Sequence, residues 1–320
     1  MDKRTLLKAA AALSLALMAA TAFAQGGGEP IRIIIPLSPG TPSDFATRIV
    51  ATAMGENLKR PIIIDNKPGA NGILAMQELM RSKPDGNTLM LGGISPMALN
   101  VSVVKNLPYD TRKDVTPIGG IYNAFQGYIV SNQLPVNSFA EFVAYAKKNP
   151  GKVSAGHYSA LTKIQFAALG RLAKVDLLMV PYKSTTTTAT DVMGGTLDVS
   201  IVDSATAINM AKGGKLKVLA ISLPERSDLA PGLPAASETV PGLAVPAWSG
   251  LIGPANMPAD VVQKLNASLN AALRDKATIA KLAESAVQPW PTTPEQFAKY
   301  IDAETARWKK VAQDAGIHPE

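Results

Sequence analysis

Small hydroxyl, glycine and acidic residues are concentrated in the segment SPGTPSD, residues 38–44, between the apolar run 31–36 and a helix predicted over residues 43–58. Gly40 permits unusual backbone angles and close approach by a ligand. Ser43 or Asp44 can cap the helix and leave free backbone N–H groups that attract a carboxylate, although a capping role alone is the alternative for Asp44. The segment therefore predicts an anion site. Its candidate binding residues are Ser38, Gly40, Thr41, Ser43 and Asp44.

A second segment of this kind, residues 155–163, follows a strand predicted over residues 153–155 and leads into another helix. His157 is one of two histidines in the chain, and an imidazole beside a binding loop can donate to an anion or respond to pH. An exposed loop histidine without a role is the alternative. Lys163 lies in the first turn of this helix, where a positive charge opposes the helix dipole. A residue that is locally unfavourable in this way weakly indicates function. The candidate binding residues here are Gly156, His157, Tyr158, Ser159, Ala160 and Thr162.

Three other predicted strands end in polar residues. Ser95 lies in residues 92–96 after the third strand, and Asp203 follows the strand predicted over residues 197–202. Tyr182 ends another strand, where it would line a cleft or simply form a turn. Because ligands of open α/β sheets bind at the carboxyl ends of strands, we expect these side chains to lie near the two loops.

Motifs for catalysis are absent from the sequence. There is no cysteine nucleophile, and His318 lies near the chain end, which leaves His157 as the histidine for a catalytic triad. No G-x-S-x-G elbow, P-loop, G-x-G-x-x-G motif or zinc-ligand spacing is found. We therefore predict a binding protein without a metal or cofactor, and not an enzyme.

The pattern of apolar residues predicts strands and helices that alternate along the chain. This order is typical of an α/β protein with mixed, mostly parallel sheets and helices on both faces. The same order starts again near residue 126, which predicts two lobes with a cleft between them. Strands are predicted over residues 31–36, 61–65, 88–92, 127–131, 153–155, 176–180, 197–202 and 216–221. Helices are predicted over residues 43–58, 72–82, 138–148, 162–172, 189–193, 259–275, 277–285 and 294–315.

Residues 1–24 have the pattern of a cleavable secretory signal peptide, although an uncleaved anchor is the alternative. Lys3, Arg4 and Lys8 precede the apolar run 9–22, and Ala22-Phe23-Ala24 is a small-x-small cleavage site. The chain contains no cysteine for lipidation. We therefore expect a free periplasmic protein.

The net charge of +7 would fall to +5 on removal of this segment, since three of its residues are basic and one is acidic. A mildly basic surface favours anionic partners. The basic residues are scattered without interleaved aromatic residues, which argues against nucleic acid as a partner. The remaining chain of about 300 residues is long enough for one large or two medium domains.

A set of short motifs occurs in order between residues 31 and 317, and together they resemble the extracytoplasmic receptors of tripartite tricarboxylate transporters, the Bug family. The early motifs are PIRIIIP (30–36), Pro39-Gly40 with Asp44 and Arg48, DNKPGA (65–70), Asn71-Gly72, PDG (84–86) and LPYD (107–110). The later motifs are KKNPGK (147–152), VPYK (180–183), Gly194-Gly195 with Asp198, GKL (214–216), Arg226-Ser227, Pro241-Gly242, Trp248 with Gly250-Leu251, and Trp308 with AGI (315–317).

This resemblance implies a type II periplasmic-binding-protein fold with lobes joined by two crossing strands. Lobe one would be residues 25–124 plus 247–320, and lobe two residues 125–246. Backbone N–H groups and hydroxyls of the loops 38–44 and 156–162 would hold ligand carboxylates, and Asp44 would bear on the ligand or its waters. The implied protein is a monomer that closes over a small organic anion and docks to membrane permease subunits or, alternatively, to a sensor kinase.

The sequence departs from the family pattern at six positions: Ser38 replaces a proline, Thr41, Tyr158, Ala160 and Ser184 replace glycines, and Ile164 replaces a histidine. A tyrosine where backbone normally approaches a carboxylate should reshape the pocket and add an aromatic face. We therefore expect a ligand other than a plain C4 dicarboxylate, such as an aromatic or longer carboxylate.

Three other functions are less consistent with the sequence. A binding protein of another transporter class would share the fold but not this set of motifs. A secreted α/β hydrolase would need the missing nucleophile elbow. A structural or adhesion protein does not explain two strand-to-helix loops suited to anions.

Overall fold

The computed structural model describes residues 28–284, 286–314 and 319. The predicted signal peptide and His318 lie outside the described residues. None of the helices within the described residues combines the length and apolar character needed to cross a membrane.

The described part of the chain forms two mixed sheets with helices packed around them. The strands are β1 (Ile31–Ile35), β2 (Ile62–Asn66), β3 (Thr88–Gly93), β4 (Val115–Ala124), β5 (Gln126–Val130), β6 (Ser154–His157), β7 (Leu178–Pro181), β8 (Val199–Asp203), β9 (Lys217–Ile221), β10 (Ala247–Pro254) and β11 (Val287–Pro289). The α-helices are α1 (Pro42–Leu58), α2 (Ile73–Met80), α3 (Asn100–Val103), α4 (Phe139–Lys148), α5 (Ala160–Ala173), α6 (Thr185–Gly194), α7 (Ser204–Lys212), α8 (Ala236–Thr239), α9 (Ala259–Arg274), α10 (Lys276–Glu284) and α11 (Pro294–Asp314). A 3₁₀ turn (Ala70–Gly72) precedes α2 and a π-helical turn (Ser95–Leu99) precedes α3.

The first sheet has the strand order β11-β4-β10-β3-β1-β2, and the second has the order β7-β6-β8-β5-β9. In the first sheet β1 pairs in parallel with β2 and β3. β10 pairs antiparallel with β3 and β4, and β11 pairs antiparallel with β4. In the second sheet β6 pairs in parallel with β7 and β8, whereas β5 pairs antiparallel with β8 and β9. The predicted α/β class with two sheets is confirmed, and antiparallel strands take a larger share of each sheet than the sequence pattern indicated.

Each sheet carries its own core. Ile33 on one face of β1 packs with Val50 and Met54 of α1, whereas Ile34 on the opposite face packs in a cluster with residues of α2 and α11. In the second sheet the aromatic ring of Tyr128 on β5 is buried in another cluster, with residues of α4 and α5. Each fully buried side chain of this size contributes about 1.5–3 kcal/mol. The two cores explain why the purely apolar strand runs could be recognised in the sequence.

The chain passes from the first sheet to the second through Phe125, which separates β4 from β5, and it returns with β10. The two connections are tied together by Ser222. Its hydroxyl accepts the N–H of Gln126 (2.8 Å) and donates to the carbonyl of Val245 (2.9 Å). Its backbone N–H and carbonyl bond the same two residues, at 2.8 and 2.7 Å. This point of the fold therefore links three segments between the sheets.

The strands β4 and β10 were not predicted, because their glycines and prolines resemble turn signals. In the structure the glycines make room for aromatic rings. A Cβ atom at Gly120 would overlap Trp290, and one at Gly250 would overlap Phe297. The two rings pack edge to face, with centroids 5.7 Å apart, directly on the sheet. The glycines are thus required by close packing and not by a turn.

Helix α1 begins one residue earlier than predicted. Thr41 is its N-cap, and the Thr41 hydroxyl accepts the N–H of Asp44 at 3.3 Å. The prediction that Ser43 or Asp44 caps this helix is therefore wrong. Pro42 occupies the first helical position, where a residue without an N–H and with a fixed φ is favourable.

Candidate functional site

A cavity of about 390 Å³ lies where loops after β1, β2 and β3 meet the N-terminus of α5 from the second sheet. None of the side chains that line it is charged. Its apolar walls include Leu37, Leu91, Leu161 and Trp248, and its polar side chains are Ser43, Asn71, Ser95, Tyr122, Ser159 and Ser249. Because β1, β2 and β3 are parallel, the cavity occupies the position at the carboxyl ends of strands where ligands of α/β sheets bind.

Three hydroxyl groups in the cavity wall form a chain of hydrogen bonds. Ser249 on β10 donates to the hydroxyl of Tyr122 on β4 at 3.1 Å, and Tyr122 donates to the hydroxyl of Ser43 on α1 at 2.6 Å. Burial raises the pKa of Tyr122, although the two serine bonds oppose that rise. The phenol is therefore neutral at physiological pH and acts as a hydrogen-bond donor.

Asp44 does not present its carboxylate to the cavity but braces the loop. Its oxygens accept the N–H of Gly40 at 2.9 Å, the side-chain N–H of Asn66 at 2.9 Å and Nε of Arg48 at 3.0 and 3.1 Å. Burial favours the protonated form, but bonds from Arg48, Asn66 and Gly40 outweigh it and hold the pKa of Asp44 below its usual value. The carboxylate is therefore ionised and already satisfied.

The turn after β2 is strained. Four successive residues have positive φ angles: Gly69 (138°), Ala70 (45°), Asn71 (52°) and Gly72 (87°). Non-glycine residues in this region cost on the order of 1–3 kcal/mol each and persist only where the surroundings hold them. The carbonyl of Asn71 accepts a bond from Asn100 at 3.1 Å, which helps to hold the turn against the cavity.

The second predicted loop forms a helix cap. Ser159 is the N-cap of α5, and its hydroxyl accepts the N–H of Thr162 at 3.3 Å. The hydroxyl of Thr162 in turn accepts the N–H groups of Tyr158 (3.1 Å) and Ser159 (3.2 Å). These two N–H groups, which the family resemblance offered to a ligand, are thus bonded within the loop. The free N–H groups at this end are those of the first helical turn, at Ala160 and Leu161.

The second loop starts later than predicted, because β6 extends to His157. Gly156 is therefore a strand residue, and a Cβ atom there would overlap Leu197 and approach Tyr182. This glycine serves packing inside the second lobe. Burial, with the charge of Lys163, lowers the pKa of His157, so the imidazole is neutral at pH 7.

The aromatic rings of Tyr158 and Tyr182 do not line the cavity. Burial raises the pKa of Tyr158 to about 12. The charge of Asp203 also raises this pKa, whereas hydrogen bonds with Thr185 and Gln126 lower it. The phenol hydroxyl therefore lies close to these three residues of the second lobe. The hydroxyl of Tyr182 donates to Asp191 of α6 at 2.7 Å. The expectation that Tyr182 walls the cleft stays a prediction, and in this structure its hydroxyl is bonded to α6 and its ring lies outside the lining of this cavity.

Asp203 is used as a helix cap. Its carboxylate accepts the N–H and the hydroxyl of Thr206 in α7, at 2.9 and 2.8 Å. Ser184 caps α6 in the same way by accepting the N–H of Thr187 at 3.3 Å. The parallel strands β6, β7 and β8 thus each lead into a helix whose N-terminus lies at the same edge of the second sheet.

The structure brings together only part of the predicted site. Ser43, Ser95 and Ser159 line the cavity. The remaining candidates do not: Ser38, Gly40, Thr41, Asp44, Gly156, His157, Tyr158, Ala160, Thr162, Tyr182 and Asp203. Asn71 and Trp248 belong to sequence motifs that could have revealed them. Tyr122 and Ser249 lie on β4 and β10, which were not predicted as strands, so the strand pattern did not point to them.

A larger cavity of about 920 Å³ lies elsewhere, between the segment 223–229 and the helices α9 and α10. Arg226 in its wall is bonded by both Nε and Nη2 to Glu238, at 2.9 and 2.8 Å. Among the described residues of its wall, the hydroxyl groups of Ser227 and Tyr300 form no series of hydrogen bonds comparable to the one that ends at Ser43. The smaller cavity is therefore the better candidate site. Within the described residues no cluster of three or more His, Cys, Asp or Glu residues could hold a metal ion.

Comparisons with known proteins agree with this architecture. The family model described as the tripartite tricarboxylate transporter family receptor matches residues 46–317. Protein BugT of Bordetella pertussis is 26% identical, over 90% of each chain. An R. palustris protein solved with adipate has a TM-score of 0.82 and 26% identity, covering 91% of this chain and 98% of that one. MatC of Rhodopseudomonas palustris, solved with bound malate, has a TM-score of 0.76 and 28% identity, covering 88% and 98%.

Proposed function

The chain belongs to the tripartite tricarboxylate transporter receptor family, and on that premise we propose that it captures a small organic carboxylate in the 390 Å³ cavity. Its family and solved relatives are solute-binding receptors, so the prediction of a protein that is not an enzyme is confirmed. The family is periplasmic, and the proposal places this receptor there as well.

The observation that carries the proposal is the composition of the cavity wall. Hydroxyls of Ser43, Tyr122 and Ser249 converge from the first sheet, and Ser159 with the N-terminus of α5 approaches from the second. Hydroxyls and helix N-terminal N–H groups hold carboxylates without a cationic side chain. Because donors come from both lobes, only the closed form would satisfy an anion fully, and the ligand would shift the population towards closure.

We further propose a carboxylate longer than C4 or an aromatic one. Leu37, Leu91, Leu161 and Trp248 supply apolar walls that a short, highly polar diacid would not use. The indole N–H of Trp248 donates to the buried Glu304 at 3.0 Å, so this side chain offers the cavity only apolar surface. Tyr158, on which the ligand expectation first rested, would act on the cavity only indirectly.

The proposed lobes are residues 25–124 with 247–320 and residues 125–246. The change of sheet at Phe125 and the return with β10 support these boundaries. The closed receptor would deliver its ligand as a monomer to membrane permease subunits. A sensor kinase is the alternative partner, and co-purification from membranes with the ligand present would distinguish the two.

Isothermal titration calorimetry tests the proposed function with malate, adipate and benzoate. The protein should first be unfolded and refolded to remove any ligand bound during expression. Binding of adipate or benzoate at least tenfold tighter than malate is the expected result. Tightest binding of malate would overturn the ligand class only, whereas no binding of any of the three would overturn the carboxylate receptor itself.

A further inference from the structure

We propose that Tyr122 and Ser249 are positioning residues that commit the Ser43 hydroxyl to donate its hydrogen to one carboxylate oxygen of the ligand. This inference rests on the proposed function, because it assigns the groups that recognise the anion in that cavity. Recognition of the carboxylate would then depend on β4 and β10, the strands that lead into and out of the second lobe, as well as on the strand-to-helix loops.

The direction of the hydrogen bonds is the first argument. A hydroxyl group has a single hydrogen to donate. Ser249 uses its hydrogen on Tyr122, and Tyr122 uses its own on Ser43. In the part of the chain that the structure describes, the hydroxyl of Ser43 has no acceptor of its own. The chain therefore ends in a donor that lies in the cavity wall and requires an acceptor from the ligand.

The strength of that donor is the second argument. Hydrogen bonds arranged in series polarise one another in a low-dielectric site. Tyr122 is 4% exposed and Ser249 is 7% exposed, so solvent does not compete strongly for these hydroxyls. A donor polarised in this way bonds a charged oxygen more strongly than a neutral one. The site should therefore prefer a carboxylate to the corresponding amide at this position.

The position of Ser43 is the third argument. It is the second residue of α1, directly after Pro42, and the first N–H groups of a helix have no partner within the helix. The hydroxyl and the backbone N–H of the same residue can thus serve one carboxylate. The carboxylate oxygens of the neighbouring Asp44 accept bonds from Gly40, Arg48 and Asn66. Asp44 is therefore not the acceptor for the Ser43 hydroxyl.

Calorimetry with adipate, benzoate and malate on the refolded full chain tests the proposal. Ser43→Ala should weaken the tightest of the three about tenfold or more, the loss expected for a bond to a charged group. Tyr122→Phe and Ser249→Ala should each weaken it about threefold or more, since the donor remains but is no longer oriented. Tyr128→Phe is the matched control: its hydroxyl is buried without a partner in the second lobe, so affinity should stay within about twofold.

A double-mutant cycle separates positioning from a general structural role. In the Ser43→Ala background, Tyr122→Phe should cause no further loss of affinity, because Tyr122 acts through Ser43. Losses that simply multiply, or a Tyr122→Phe variant that binds as the wild type does, would overturn the inference while the receptor function stands. A wild type that binds none of the three carboxylates would overturn both. Thermal unfolding of every variant should show midpoints close to that of Tyr128→Phe.

Discussion

Asp44 matches a family motif, and in this structure its carboxylate holds the loop after β1 in place. Its oxygens are bonded to the backbone of Gly40 and to the side chains of Arg48 and Asn66. Asn66 also donates to the carbonyl of Leu37 at 3.0 Å. The aspartate therefore joins β2 to the loop after β1, and it shapes the cavity through that loop.

Replacement of Asp44 by asparagine should lower the free energy of unfolding by about 1–2 kcal/mol at pH 7, a value reduced because the Arg48 side chain is 46% exposed. The folded-state pKa of Asp44 is below its usual value near 3.8. Its stabilising effect is therefore complete above that value and is lost as the pH falls through the folded pKa. Urea unfolding at pH 7 and pH 3 should show a smaller difference between wild type and variant at pH 3 than at pH 7.

The exposed Asp228 provides the matched control for this substitution. Asp228→Asn should change the free energy of unfolding by less than about 0.5 kcal/mol at either pH. A difference between wild type and Asp44→Asn that is equally large at pH 3 would mean that the loop depends on the shape of the side chain and not on its charge.

His157 is predicted to remain neutral throughout the neutral pH range. Burial and the neighbouring Lys163 both lower its pKa below the usual 6.5. Carboxylate affinity should therefore stay constant within about twofold between pH 7 and pH 8. Calorimetry across this range, repeated with His157→Gln, provides the measurement. A steep fall in affinity that disappears in the variant would show instead that a protonated imidazole takes part in binding.

Among the secondary-structure elements, those with an apolar period or a clear cap could be predicted from sequence. Helix α4 was located to one residue, because Ser138 caps it by accepting the N–H of Glu141 at 3.1 Å. The carboxylate of Glu141 accepts the N–H of Asn137, the residue before the cap, at 2.7 Å and adds a second bond at this helix start. These local hydrogen bonds fix the start of α4, which is why it could be predicted from the sequence.

Strands whose residue types depend on contacts with side chains distant in the sequence could not be predicted. β4 and β10 contain glycines because Trp290 and Phe297, far away in the chain, lie on them. Sequence periodicity contains no information about such a contact. β4 and β10 contribute Tyr122 and Ser249 to the cavity wall. The sequence therefore predicted residues of the loops around the site but not these two residues on the strands.

Strand β6 gives a prediction at the scale of an element. Gly156→Ala would place a methyl group against Leu197 inside the second lobe, so the variant should lose about 1–3 kcal/mol of stability. Gly213→Ala, at the end of α7 with φ −77° and no side chain closer than ordinary contact, should change stability by less than about 1 kcal/mol. Urea unfolding of both variants is the measurement. Equal stability of the two would show that β6 can shift to accept the methyl group.

At the scale of the whole molecule, the two sheets of the described residues must move relative to each other in the proposed closure. Three segments meet at Ser222, which bonds Gln126 on the way into the second sheet and Val245 on the way back. Ser222 is 1% exposed, so water cannot replace these bonds easily. Hinges are a few residues at the ends of elements that absorb the backbone rotation. This cluster has that position in the fold.

Ser222→Ala should leave both cores intact but remove the acceptor of the buried Gln126 N–H, at a cost of about 1–3 kcal/mol. Because the connection is then less restrained, small-angle scattering should give a larger radius of gyration than the wild type without ligand and a larger decrease on addition of a saturating carboxylate. Ser237→Ala is the control, since it removes an exposed bond to the carbonyl of Pro224 and leaves the connection unchanged. If ligand decreases the radius of gyration of neither the wild type nor Ser222→Ala, then binding occurs without closure, and the cavity accepts its ligand in the form described here.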